Sequence, residues 1–167
     1  STGDYSAIQG LVEGLMGRLD SERIAISLPS LRVGSLTTEL MEQIKRVRKT
    51  GFTVAPEAGS ERLRKVINKN VTEEALEETV RSAFQLGWKV IKLYFMIGLP
   101  FEGEKDLDDI VELANQVSGL AGKRGNKVKL NISVSTFVPK AHTPFMWTSQ
   151  ISSEEGWRGI QYIRKRL

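Results

Sequence analysis

No cysteine occurs anywhere in the 167 residues of the chain. That absence excludes disulfides, thiolate zinc sites, a cysteine nucleophile and any iron–sulfur cluster whose cysteine ligands come from this chain. Histidine is almost as scarce. His142 stands alone, so a histidine-based metal site or triad has one candidate, and its polar, proline-bearing surroundings read first as a loop without chemistry. No apolar run approaches the roughly 20 residues needed to span a bilayer. No charged-then-apolar leader is read either, so a cytoplasmic location without a membrane partner is expected. What is there is ordinary for a folded domain: 40% hydrophobic and 26% charged residues, which exclude collagen-like or largely disordered material. The formal charge is +4. Basic stretches such as Lys45-Arg46-Val47-Arg48-Lys49 and Arg164-Lys165-Arg166 suit either phosphate contact or solvated helix faces, and the second is the default.

Helical periodicity is legible. Tyr5, Ile8, Leu11, Val12, Leu15, Met16 and Leu19 recur at steps of three and four, which predicts one helix. Leu40, Met41, Ile44 and Val47 predict a second, Leu76, Val80, Ala83 and Phe84 a third, and Leu107, Ile110, Val111, Ala114 and Val117 a fourth. Trp157, Ile160 and Ile163 predict a last one, opened by a Ser152–Glu155 capping box. Between them lie β-rich runs at Arg23–Leu28, Phe52–Ala55, Lys89–Ile97 and Lys127–Val138. Gly51 and Gly87 fall where a helix must stop before the next strand. A helix followed by repeated strand–helix units implies a parallel α/β sheet with right-handed crossovers. Four strands are few for a closed barrel. Ser1-Thr2-Gly3-Asp4 reads as the tail of a further strand, so the chain is expected to be a single domain cut at both ends from a larger βα protein.

In such folds ligands lie beyond the carboxyl ends of the strands. Those ends read Ser27-Leu28-Pro29-Ser30, Ala55-Pro56-Glu57-Ala58-Gly59-Ser60, Met96-Ile97-Gly98-Leu99-Pro100-Phe101-Glu102-Gly103 and Phe137-Val138-Pro139-Lys140. Small, polar and proline-bearing segments at all of them form a plausible binding rim. Simpler readings stand beside this one. Glu57 suits the positive N-terminus of a following helix capped by Ser60, Lys69 suits a helix C-terminus, and Phe145 and Trp147 suit packing.

Taken in order, these motifs resemble the radical S-adenosylmethionine enzymes, and within them the uncharacterised branch that often carries a cobalamin-binding domain upstream. Glu57-Ala58-Gly59-Ser60-Glu61-Arg62-Leu63 through Asn68-Lys69 is similar to the family's fourth-strand signature, and Met96-Ile97-Gly98-Leu99-Pro100 to its fifth. Ser1-Thr2-Gly3-Asp4 resembles the end of the second strand, and Phe137-Val138-Pro139 with Thr143-Pro144-Phe145 the sixth. The resemblance implies the C-terminal portion, residues 1–167, of a partial (β/α)6 TIM-like barrel that binds S-adenosylmethionine and, in the intact parent, a 4Fe-4S cluster. It implies that the parent cleaves the cofactor reductively to a 5′-deoxyadenosyl radical and then modifies a substrate, which the family leaves open among tRNA, proteins and small molecules. By the same resemblance, Gly3 and Asp4 meet the methionine amino group and Ser27 lies near the methionyl or ribose portion. Glu57 accepts from ribose hydroxyls and Lys69 pairs with the methionine carboxylate. Met96 faces adenine, Gly98 lets the backbone approach, and Phe137 and Val138 close the far side of the ring.

Two departures accompany the resemblance. The family's CxxxCxxC loop has no counterpart here, so the segment by itself is expected to be inert. Tyr94 stands where many relatives carry an acidic ribose contact, which shifts that duty towards Glu57. Two other readings compete: a fragment of a phosphate-binding (β/α)8 barrel, which calls for a glycine-rich phosphate loop at a late strand, and a basic nucleic-acid-binding module, which calls for salt-dependent affinity. The apolar run Arg23-Ile24-Ala25-Ile26-Ser27-Leu28 lacks a protective charge or proline in mid-strand. A homodimer through this edge is expected.

Overall fold

The computed structural model describes residues 5–22, 24, 26, 41–42, 51–120 and 128–167. Gly3, Asp4, Ser27, most of the Arg23–Leu28 run and the second predicted helix beyond Met41 and Glu42 lie outside the described residues. The edge-strand dimer contact lies outside them too.

Helix α1 spans Ile8–Leu19. Strand β1 (Phe52–Glu57) follows, then the short helix α2 (Glu61–Val66) and helix α3 (Glu73–Gln85). Strand β2 (Val90–Ile97), helix α4 (Glu104–Leu120), strand β3 (Lys129–Thr136) and helix α5 (Ser153–Arg166) complete the order. The three strands form one parallel sheet in the order β1-β2-β3. This is the expected parallel α/β arrangement, consistent with a partial TIM-like barrel.

Local chemistry sets the helix ends. Ser60 accepts from the Leu63 N–H, Thr72 from that of Ala75, and Ser152 forms the full capping box with Glu155. Helix α3 closes on Gly87 at φ 87°, with the Trp88 N–H returning to the Ala83 carbonyl, the left-handed ending glycine favours.

The sheet buries one face. Ile91, Leu93, Phe95 and Ile97 alternate along β2 and pack in one cluster with Leu76 and Val80 of α3, Ile110 and Val117 of α4 and Ile163 of α5. Residues of the other parity are half-buried or exposed, with Thr53, Tyr94, Ser133 and Ser135 exposed. Helix α5 meets the core through Ile163 and Ile160, as its apolar periodicity predicts, but not through Trp157. Trp157 is 63% exposed, while Gly156, Gly159 and Ile163 are buried. A Cβ on Gly156 would lie 2.6 Å from Thr136 Cγ2, and one on Gly159 2.9 Å from Ile97 Cδ1, so the helix backbone itself touches the strands. In α1 only Val12 and Met16 of the predicted stripe are buried, and Leu11 and Leu15 are exposed. Trp147, expected to pack, is 89% exposed. No described helix is long and apolar enough to cross a membrane.

Candidate functional site

The carboxyl ends of the three strands converge on one small apolar cluster. Ala58, Leu63 and Leu99 are buried in it, and Val66, Ile67, Met96 and Phe137 pack against it. Above it opens a cleft of about 700 Å³, a size typical of small-molecule sites. Ile67, Asn68, Met96, Phe137, Val138 and Lys140 line it, with Phe145 on the far wall. Phe145 meets Phe137 edge-on at a centroid distance of 6.2 Å. These walls are chiefly apolar, with an amide, hydroxyls and one ammonium at the margins.

Glu57 and Lys69 stand beside the cleft rather than in its lining. Val54 pairs with Leu93 and Glu57 with Phe95, so three steps on β1 match two on β2. The extra residue makes a bulge at Ala55-Pro56, where proline has no N–H to lose. Glu57 has φ 71°, a left-handed conformation that costs a non-glycine residue roughly 1–3 kcal/mol and persists only where surroundings impose it. Its carboxylate reaches Lys69 Nζ at 3.3 Å, with 27% and 29% of the two side chains exposed. Lys69 follows Asn68, which ends α2 at φ 55° and lines the cleft.

Three further polar groups stand at the strand ends, outside the lining of the cleft. Arg64 is 1% exposed. Its Nε donates to the Val71 carbonyl at 2.8 Å, and its Nη1 donates to the carbonyls of Ala58 at 3.1 Å and Gly59 at 2.7 Å. Burial pulls its pKa down, against the opposing charges of Glu73, Glu61 and Asp109. Asp106, 4% exposed, accepts from Ser60 Oγ at 2.6 Å, Arg62 Nη2 at 2.6 Å and the Gly103 N–H at 2.8 Å. Burial raises its pKa, but those hydrogen bonds and the Arg62 charge together outweigh burial and hold it below the ordinary value. Glu102 accepts from the Gly98 N–H at 2.7 Å and the Leu99 N–H at 3.4 Å. Burial nevertheless raises its pKa.

Glycine is required at two rim positions. A Cβ on buried Gly59 would fall 2.3 Å from the Ile110 nitrogen and 2.5 Å from the Asp109 carbonyl carbon, inside the first turns of α4. Gly98 sits at φ 75°, and its missing Cβ is replaced by Ile151, whose Cδ1 would be 2.5 Å away. The chain's own packing thus demands glycine there.

Of the residues singled out in the sequence, the cleft unites Met96, Phe137 and Val138. Glu57, Lys69 and Gly98 form its surround, and Gly3, Asp4 and Ser27 lie outside the described residues. His142 is an exposed turn residue at φ 61°. Sequence reasoning missed Arg64, Asp106 and Glu102. Arg64 carries no sequence signal of burial, because an arginine in a charged helical stretch reads as surface.

The apolar walls fit a purine ring, and the Glu57–Lys69 pair offers a carboxylate to hydroxyls and an ammonium to a carboxylate. S-adenosylmethionine carries all three partners, so the residues present fit it. An iron–sulfur cluster does not fit this chain. Cysteine is absent, and no group of three His, Asp or Glu residues suited to a metal occurs among the described residues. After anaerobic incubation with iron and sulfide the purified chain is expected to stay colourless and iron-free by metal analysis. A brown product with charge-transfer absorbance would contradict this.

The chain is similar to an uncharacterized protein of Methanocaldococcus jannaschii, 39% identical over 168 residues. The match covers 100% of this chain but 34% of that protein's length, so the chain spans about a third of the relative. The sequence profile of the Radical SAM superfamily matches residues 3–114, from the first residues through β1, β2 and most of α4. That match takes in more than half of the chain, including the segments Glu57–Lys69 and Met96–Pro100, and the chain belongs to the Radical SAM superfamily.

Proposed function

We propose that this chain is the S-adenosylmethionine-holding portion of a radical S-adenosylmethionine core domain, and that the catalytic protein is longer than the segment. The observation that carries the reading is the apolar cleft of Met96, Phe137 and Val138 with the Glu57–Lys69 pair at its edge. Met96 and Phe137 sandwich the adenine, and Val138 shields it from water. Glu57 accepts from the ribose hydroxyls, and Lys69 turns to the methionine carboxylate when the ligand arrives. Gly98 keeps the turn of its strand tight against Ile151, which holds Met96 in place. Gly3, Asp4 and Ser27 complete the methionine end in this proposal. Bound S-adenosylmethionine would supply, on one-electron reductive cleavage of its S–C5′ bond, methionine and a 5′-deoxyadenosyl radical, and the thiolate ligands for a reducing cluster would come from outside this chain, which has no cysteine. The order of the motifs also supports placing the parent in the cobalamin-associated branch, and the apolar Arg23–Leu28 run supports a dimer.

Nuclear magnetic resonance titration of the purified chain tests the site directly. The methyl signals of Met96 and Val138 are expected to shift with S-adenosylmethionine. Lys69→Ala is expected to weaken that binding by about 1–3 kcal/mol, the scale of a charge-assisted hydrogen bond. An unchanged spectrum at millimolar ligand would remove the proposal, and unchanged affinity in the variant would return Lys69 to a helix-end role.

A further inference from the structure

Glu57 and Lys69 belong to different segments, and nothing in the strand ladder joins them. Glu57 ends β1 in a strained backbone conformation. Lys69 lies beyond α2, where its N–H returns to the Arg64 carbonyl at 2.8 Å. The two segments are joined from below by one side chain. The Arg64 guanidinium holds the carbonyls of Ala58 and Gly59, directly after Glu57, and the carbonyl of Val71, two residues after Lys69. Its remaining nitrogen, Nη2, makes no hydrogen bond and faces Glu73 Oε1 at 3.8 Å.

We infer that Arg64 is a positioning residue: its buried fork of donors fixes the spacing between Glu57 and Lys69, and so the register of the two polar groups at the cleft edge. A planar guanidinium suits this task because its donors have fixed directions, whereas a lysine ammonium offers one point of attachment. The strained φ of Glu57 needs such a clamp, since the residue would otherwise relax to an extended conformation and carry its carboxylate away from Lys69. The role in ligand binding rests on the reading of the cleft given above. The role in holding the pair does not.

The test compares Arg64→Lys with Val117→Ala, a core truncation in α4 that destabilises without touching the cleft. Nitrogen-15 spectra of the unliganded chain report solvent exchange of the Lys69 ammonium. Protection is expected in the wild type and in Val117→Ala, and its loss in Arg64→Lys. Affinity for S-adenosylmethionine is expected to fall at least about tenfold in Arg64→Lys and to stay nearly unchanged in Val117→Ala. Protection that is equal in all three proteins, or absent from the wild type, overturns the inference. A wild type that keeps its Lys69 protection but binds no S-adenosylmethionine overturns the reading of the cleft and leaves the clamp standing. Should Arg64→Lys not fold, urea below the unfolding transition gives the answer in the wild type. The Arg64 Nε–H and the Lys69 ammonium then lose protection together, and separate loss overturns the inference.

Discussion

Gly59→Ala is expected to destabilise the chain by about 3 kcal/mol or more, at the upper end of overpacking costs. The added methyl would meet the Ile110 nitrogen, the Asp109 carbonyl carbon and the Asp106 carbonyl oxygen at 2.3–2.9 Å. All three are backbone atoms of α4 and cannot swing aside as a side-chain tip can. Either α4 shifts off the β1 end or the segment carrying Ser60 does, and both moves break the contacts of Asp106 with Ser60 and Arg62. Total stabilities of such domains are about 5–15 kcal/mol, so the loss shows as a large drop in melting temperature. Gly119→Ala is the matched control. It lies in the same helix with nothing within 4 Å of its would-be Cβ, and alanine there is expected to raise stability by about 0.5–1 kcal/mol. Equal melting temperatures for the two variants would show that α4 does not sit against Gly59 as described.

Asp106→Ala is the second large effect, expected to cost roughly 3 kcal/mol because a buried carboxylate with three donors disappears. Ser60 keeps its bond from the Leu63 N–H and Arg62 is half exposed, so the Gly103 N–H and the tie between the two rim segments bear most of the loss. The pH dependence identifies the cause. The Asp106 pKa is lowered in the folded chain from an ordinary 3.8, so the folded state binds the proton less readily than the unfolded one. The stability this provides is complete above about pH 4 and is lost as pH falls through the lowered folded value. Chemical denaturation at neutral pH and near pH 3 should therefore show wild type and variant converging in acid. A constant gap would assign the loss to packing instead.

The elements that bury a stripe were readable from the sequence because burial writes a period into it. Helices α3 and α4 and strand β2 follow directly from the stripes Leu76–Phe84 and Leu107–Val117 and from the β-rich run Lys89–Ile97. The capping box at Ser152 was equally visible, because capping is a local contest among neighbouring residues. Helix α5 was readable as a helix and in most of its facing, since Ile163 is in the core and Ile160 packs against it. That face also uses Gly156 and Gly159, which carry no hydrophobic signal, while the apolar Trp157 turns outward. The apolar half of the cleft was legible through Met96, Phe137 and Val138, because motif order places strand ends. The polar groups that brace the strand ends around it were not. Arg64 is buried because carbonyls from two separate segments, Ala58-Gly59 and Val71, converge on it, and Asp106 because Ser60 and Arg62 meet the Gly103 turn there. Such convergence exists in three dimensions and leaves no period behind.

The bulge in β1 makes the cleft's carboxylate a matter of chain length as well as of residue identity. Without the extra residue, the acid would be carried round to the hydrophobic side or lost beyond the strand end, while Phe52 and Val54 would keep their partners on β2. Deleting one residue at Ala55-Pro56 should therefore leave a sheet that still folds and a cleft edge that has lost its acid.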